Sequence, residues 1–355
     1  MDSTKHICKS LKALLFFIFL LLINSFCKKD DPQITKDNPL TRKEDTLKNY
    51  SPVIRFDISK RLLEGKHIDC IEPDYKGNIW IASGNELYYK NGSDEKTYTL
   101  DFPILDISIA GDETLWIGTN GGGLGNLSGN GIVWYTKANS GLPRDYIKNV
   151  EVGLDGRVWF SSCAGGYGGL LVYDGKKFKT FTPDNSILNQ HVIDDIGIDH
   201  NGSLYVMTLG TVTKTNIYRI SGDSPECLGN ESGTFYWVTV FTVGPAGIIY
   251  LLEDFMLSSS SANSNTVFEF KDNKWQKPET DFITSRLTFF TAIKADRRNY
   301  CWAANIDVLH VYNGNSWVEP PAGLFLNDKI TTIEVDSDNK IWIGTDKNGV
   351  FIMNQ

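Results

Sequence analysis

One unit recurs seven times along this chain, and that repetition restricts its fold more than any other feature. The clearest copy is residues 329–353, KITTIEVDSDNKIWIGTDKNGVFIM, and a second is 103–124, PILDISIAGDETLWIGTNGGGL. Weaker copies begin at His67, Tyr146, Val192, Trp237 and Phe289. Each carries an aromatic anchor: Trp80, Trp116, Trp159, Tyr205, Tyr250, Trp302 and Trp342. The anchors stand 36, 43, 46, 45, 52 and 40 residues apart, the range of a four-stranded propeller blade.

Within each unit four strands, a to d, can be read. Strand a is short and apolar. A two-residue hairpin turn is expected next, with Gly77, Gly156, Gly202 and Gly247 at one shared position suited to positive φ. Strand b holds the anchor inside a continuous apolar run, as a strand covered on both faces requires. Three turns between c and d place two aromatics at equal spacing: Tyr173 and Phe178, Phe270 and Trp275, Tyr312 and Trp317. The last unit has sequence for three strands only, while residues 53–59 (VIRFDIS) precede the first unit and have strand composition. The sequence therefore predicts an all-β, seven-bladed β-propeller of four-stranded antiparallel blades, closed by the N-terminal strand completing the last blade. An open array would expose two apolar edges.

Ahead of the repeats, Lys5, Lys9 and Lys12 precede an eleven-residue apolar run, Ala13 to Ile23. That length is short for a bilayer span and suits a signal-peptide core. Cys27 follows, then Lys28-Lys29-Asp30-Asp31. The arrangement resembles a bacterial lipoprotein signal, and the residues after the Cys resemble the export signal of Bacteroidetes surface lipoproteins. Phe26 stands where such signals usually have a small residue. The resemblance implies cleavage before Cys27, acylation on it, and an outer-membrane lipoprotein exposed at the cell surface. Residues 28–50 are polar and aperiodic and read as a disordered tether. Three segments result: signal peptide 1–26, lipidated Cys27 with tether 27–50, and propeller 51–355.

The phrase D-x-D/G-x-I-W-I-G-T with a Gly-containing turn after it resembles the two-component regulator propeller repeat. It stands here as DSDNKIWIGT at 336–345 and, weaker, as GDETLWIGT at 111–119. In that family, propellers are periplasmic sensor modules of hybrid histidine kinases, many of which respond to carbohydrates. The resemblance implies the propeller fold and ligand-binding potential. With no kinase and no second propeller in the sequence, it does not imply signal relay.

Charge excludes one class of partner. The formal charge is −8, and the body without residues 1–26 carries −10, so nucleic acid is not expected. Catalytic signatures are sparse. Asp194-Asp195 and Glu253-Asp254 read as solvated surface. Asp336 to Lys340 begins like a calcium loop but lacks its Gly at the sixth position and Glu at the twelfth, so a hairpin turn is expected. Cys70, Cys163, Cys227 and Cys301 fall in four different units, without a CxxC pair, and read as buried free thiols. His67, His191, His200 and His310 form no short metal-binding spacing. No metal, cofactor or catalytic residue is expected.

A ligand is expected at the mouth formed by the d–a and b–c connections. His67, Tyr146, Trp237, Phe289 and Lys329 open strands there, with His191, Arg144, Asp145 and Asp328 nearby. Rings of that kind stack on sugar faces, and the charged groups bind hydroxyls. Residues 253–265, long and Ser-rich, read as a mobile lid or a tolerated insertion. The expected function is an envelope-anchored, non-catalytic binding protein for an extracellular glycan or an outer-membrane protein partner. Two alternatives stand beside it. One is a propeller-type lyase resembling virginiamycin B lyase, with His67 and His191 sharing the mouth. The other is a pure protein-interaction scaffold.

Overall fold

The computed structural model describes residues 51–355 apart from 165–166, 210–213, 223, 230–234, 237, 256–263, 278–289, 307, 322 and 326. Seven antiparallel sheets follow one another along the chain. Blade 1 comprises Cys70–Pro73, Ile79–Ser83, Glu86–Asn91 and Asp94–Thr99. The pattern repeats through blade 6, which comprises Phe290–Ala295, Cys301–Asn305, Val308–Tyr312 and Trp317–Val318. Blade 4 carries one extra short strand, Phe235–Tyr236, paired to its strand c. One helical turn, Lys137–Ser140, bridges blades 2 and 3.

Consecutive a strands touch all the way round, blade 7 returning to blade 1, so they form the inner wall of the ring. Seven hydrophobic clusters fill the seams between successive blades. This explains the apolar run of strand b. Ile341, Trp342 and Ile343 are 0 %, 8 % and 0 % exposed because a neighbour covers each face. The Gly of the IWIGT phrase has a steric reason. A Cβ at Gly344 would sit 2.6 Å from Thr332 Cγ2 and 2.8 Å from Ile68 Cγ2 of blade 1. The Thr that follows is wholly buried, and Thr345 Oγ1 donates to Gly349 O at 2.9 Å, fastening the b–c turn.

The a–b turn is longer than the two-residue hairpin expected. In blade 1, Gly77 N–H donates to Asp74 O and Asp74 N–H to Asn78 O. Gly77 therefore occupies the left-handed position that follows a tight turn in three-residue hairpin loops. All seven copies use positive φ there, with Glu113 (69°), Asn299 (62°) and Asn339 (64°) in place of glycine. The leading Asp organises the turn. Asp336 Oδ1 accepts the backbone N–H groups of Asp338 and Lys340, each at 2.9 Å, while Oδ2 accepts the Trp342 indole N–H at 3.1 Å. The calcium-loop look of 336–340 is accounted for by this turn.

Closure occurs as predicted, with a shifted boundary. Ile58–Leu62, not 53–59, pairs antiparallel with Val350–Met353 and completes blade 7. The residues before it brace the underside of blade 6 instead. Arg298 donates to the carbonyls of Ser51 and Val53, and Phe56 packs edge-on to Trp302 at 6.1 Å.

Candidate functional site: the axial bore and its mouth

Strand a turns alternate side chains toward the axis. Five residues after each strand-opening position stand Glu72, Ser108, Glu151, Gly197, Thr242, Lys294 and Glu334. All seven line an axial bore of about 200 Å³, together with Asp106, Asp195 and Thr332 from two residues earlier. Five carboxylates and one ammonium thus share one narrow space.

Several of these groups join neighbouring blades. Strand a is the inner edge of its sheet, so its outward N–H groups have no strand partner. Asp106 Oδ2 accepts Val150 N–H of blade 3 at 2.8 Å, and Ser108 Oγ accepts Val152 N–H at 3.1 Å. Glu72 Oε1 accepts Ile109 N–H of blade 2 at 3.1 Å, and Thr242 Oγ1 accepts Ala295 N–H of blade 6 at 3.2 Å. Asp195 Oδ1 accepts from Ile196 N–H at 2.9 Å and from Asn149 Nδ2 of blade 3 at 3.2 Å.

The bore also perturbs titration. Burial pushes Asp106 and Asp195 up to about 7 and Glu151 up to about 8. Burial, with Glu334 and Glu151 nearby, raises Glu72 well above the carboxylate range. Burial alone would lower Lys294. Glu334, which it contacts directly, and Glu151 overcome that and hold its ammonium above its ordinary value.

The mouth candidates take varied places. His67 is half-exposed, with Nδ1 2.8 Å from Asp346 Oδ1 and Nε2 3.2 Å from Asp69 Oδ1. Lys329 and Arg144 are exposed. Asp328 is buried and fastens blade 7: its Oδ2 accepts Lys347 N–H, Asn348 N–H and Asn348 Nδ2. Burial opposes that charge, and those donors hold the Asp328 carboxyl below the usual range. Asp145 caps the helical turn, accepting Lys137 N–H at 2.6 Å. Tyr146 is half-buried and bridges to Asn120. His191 lies on blade 4, its Nδ1 3.2 Å from Gly168 O, three blades from His67. Trp237, Phe289 and Cys27 lie outside the described residues.

Three smaller readings change. Asp194-Asp195 is not free surface: Asp195 lines the bore and Asp194 pairs with Lys148 at 2.6 Å. Cys70 and Cys301 are buried free thiols, but Cys227 is exposed. Strands occupy the ends of the supposed 253–265 loop, up to Phe255 and again from Ser264, and 256–263 lies outside the described residues. The bore itself escaped sequence reading. Its signal was a polar residue at one register of six otherwise apolar a strands.

Fold and bore together define a seven-bladed β-propeller with an acidic axis. Residues 324–347 match the two component regulator propeller family, so the chain carries that family's repeat. No curated protein matches the chain by sequence. Among solved structures, it is similar to an extracellular domain assigned to a one-component system of B. thetaiotaomicron, with a TM-score of 0.61 and 17% identity over 84% of this chain and 40% of that one. The chain thus spans about two fifths of that domain. It is similar to PorZ, a bacterial surface component of the type-IX secretion system of Porphyromonas gingivalis, with a TM-score of 0.65 and 17% identity over 84% of this chain and 48% of that one. Virginiamycin B lyase from Staphylococcus aureus gives a TM-score of 0.66 and 16% identity over 84% of this chain and 99% of that one. At such identities these likenesses describe the fold alone. Among the described residues, no helix is long and apolar enough to cross a membrane.

Proposed function

We propose that this chain is an envelope-anchored, non-catalytic binding module that takes an extracellular glycan or protein partner at the mouth. One observation carries the reading. The bore acids Glu72, Asp106 and Asp195 are engaged with backbone N–H groups of the ring, while His67, Lys329 and Arg144 remain open to solvent at the mouth. A closed ring with exposed charged side chains at one end suits binding. The lyase reading is less well supported, because His67 and His191 stand on blades 1 and 4 rather than beside one another. Anchoring through Cys27 rests on the signal resemblance and places the module at the cell surface.

The test is ligand capture by the full chain on intact cells, by cross-linking and by glycan array. The double variant His67→Ala, Lys329→Ala is expected to lose at least tenfold in capture with an unchanged Tm. Unchanged capture would remove the mouth from the reading. Cys27→Ser is expected to shift the protein from the membrane to the soluble fraction, and continued membrane retention would refute the anchor.

A further inference from the structure

Three blades place an aromatic pair where strands c and d meet, and blade 2 does not. In blade 3, Tyr173 ends strand c and stacks on Phe178 of strand d at 4.7 Å. Tyr173 also covers the anchor of the preceding blade, Trp116, at 5.7 Å. Blade 6 repeats the device with Tyr312 and Trp317, over Tyr250, and blade 5 with Phe270 and Trp275, in the cluster of Tyr205. The same register in blade 2 holds Leu127 opposite Ile132. These aliphatic side chains are smaller than the aromatic pair, and the seam between blades 1 and 2 stays open as a cleft of about 290 Å³.

The cleft is not merely underpacked. Its blade 1 wall is aromatic: Trp80 lies 4.6 Å from Tyr89 and 6.0 Å from Tyr98. Its blade 2 wall sets Asp112, Glu113, Thr114 and Ser128 beside the apolar Ile109 and Leu127. Asp112 holds one carboxylate oxygen on Thr114 N–H at 3.0 Å, which fixes the group at the rim. Lys96, exposed on strand d, also lines the space.

We propose that this cleft is a saccharide subsite, in which the apolar face of one sugar ring stacks on the Trp80, Tyr89 and Tyr98 wall while its hydroxyls bond to Asp112, Lys96 and Ser128. Three features select that ligand class. An aromatic wall offers a flat apolar contact for the C–H face of a pyranose. Donors and acceptors stand together opposite it, as a polyhydroxyl ring requires and a hydrocarbon does not. An aromatic wall with acids would also suit a quaternary ammonium, but such a ligand leaves the donors of Lys96 and Ser128 without a use. The volume falls at the lower edge of small-ligand pockets, roughly 300–1,000 Å³, which suits one ring with the rest of the chain outside. The cleft is built from a–b and c–d turns and so lies at the opposite end of the blades from the mouth. It is independent of the mouth reading.

Saturation-transfer NMR and calorimetric titration of the full chain test the site. The probes are neutral hexasaccharides of β-1,4-glucose, xylose, mannose and galactose, with tetramethylammonium as the competing class. At least one hexasaccharide is expected to bind. Tyr98→Ala is expected to weaken it tenfold or more. Leu127→Tyr, which restores the filled seam of blade 3 without removing any wall residue, is expected to do the same at unchanged Tm. Lys176→Ala, exposed on the c–d turn of blade 3, is expected to leave it unaltered. The proposal is overturned by binding of no hexasaccharide, by affinity unchanged in both cleft variants, by loss only in His67→Ala, or by preference for tetramethylammonium. Loss only in His67→Ala would support the mouth reading while removing this one.

Discussion

Asp296 in blade 6 and Asp106 in blade 2 are the same residue placed inside the same ring, and they are held in opposite ways. Asp296 is wholly buried at an a–b turn. It accepts the backbone N–H groups of Arg298 and Tyr300, two bonds from the Arg298 guanidinium, and the Trp302 indole N–H. Asp106 accepts two backbone N–H groups and otherwise faces the carboxylates of the bore. One charge is matched by a cation at contact. The other shares a single distant lysine with four more acids, and burial moves it to about 7. The two sites differ in the donors supplied to the carboxylate.

The largest loss of stability is expected from Asp296. Asp296→Ala strands a buried guanidinium and an indole N–H, and is expected to cost about 3–5 kcal/mol. Chemical denaturation should show that loss. A loss below about 1 kcal/mol would mean that other groups satisfy the guanidinium and the indole without the carboxylate.

Lys294→Met should give a smaller effect of a different shape. Without the ammonium, Glu334, Glu151 and Glu72 lose the cation that offsets their repulsion. Thermal melts are expected to show a larger drop in Tm at pH 8.5 than at pH 5.5. An equal drop at both values would place the role of Lys294 in packing alone.

The third expectation is smaller and concerns the wild-type chain. Asp106, Asp195 and Glu151 have folded values near 7 to 8, above unfolded values of about 4. Groups raised in this way contribute stability that is full below about pH 4 and is lost as pH rises through 7 to 8. The slope is about 1.4 kcal/mol per pH unit for each proton by which the states differ. Stability should therefore fall between pH 6 and pH 8.5, and Asp106→Asn should flatten that fall while changing little at pH 6. A wild-type profile that rises across this range would contradict the bore assignment.

Much of this architecture was legible because it is periodic. The anchors, the left-handed turn position and the paired aromatics each recur at one register, and local rules account for them. Tyr173 with Phe178 and Tyr312 with Trp317 are direct cross-strand neighbours, as equal spacing required. The candidate site was less legible. Asp328 and Asp145 are the residue types that bind hydroxyls, yet both are occupied by backbone N–H groups of turns that approach them in space. Of the bore acids only Asp195 was singled out, as solvated surface, because charges spread over several repeats gain meaning only once seven strands stand in a circle.

From sequence alone came the repeat, its count of seven, the four-stranded blade and closure through the N-terminal strand. These follow from apolar period, turn chemistry and the need to cover sheet edges, all of which are local or additive along the chain. Tertiary structure decided the rest. It set Glu72, Glu151, Lys294 and Glu334 in one ring. It moved the closing strand to Ile58–Leu62, and it left a cleft beside Trp80, where Leu127 stands at the register that Tyr173 fills in blade 3. Such features depend on which side chains face one another across blades, and proximity across blades is written nowhere in the order of residues.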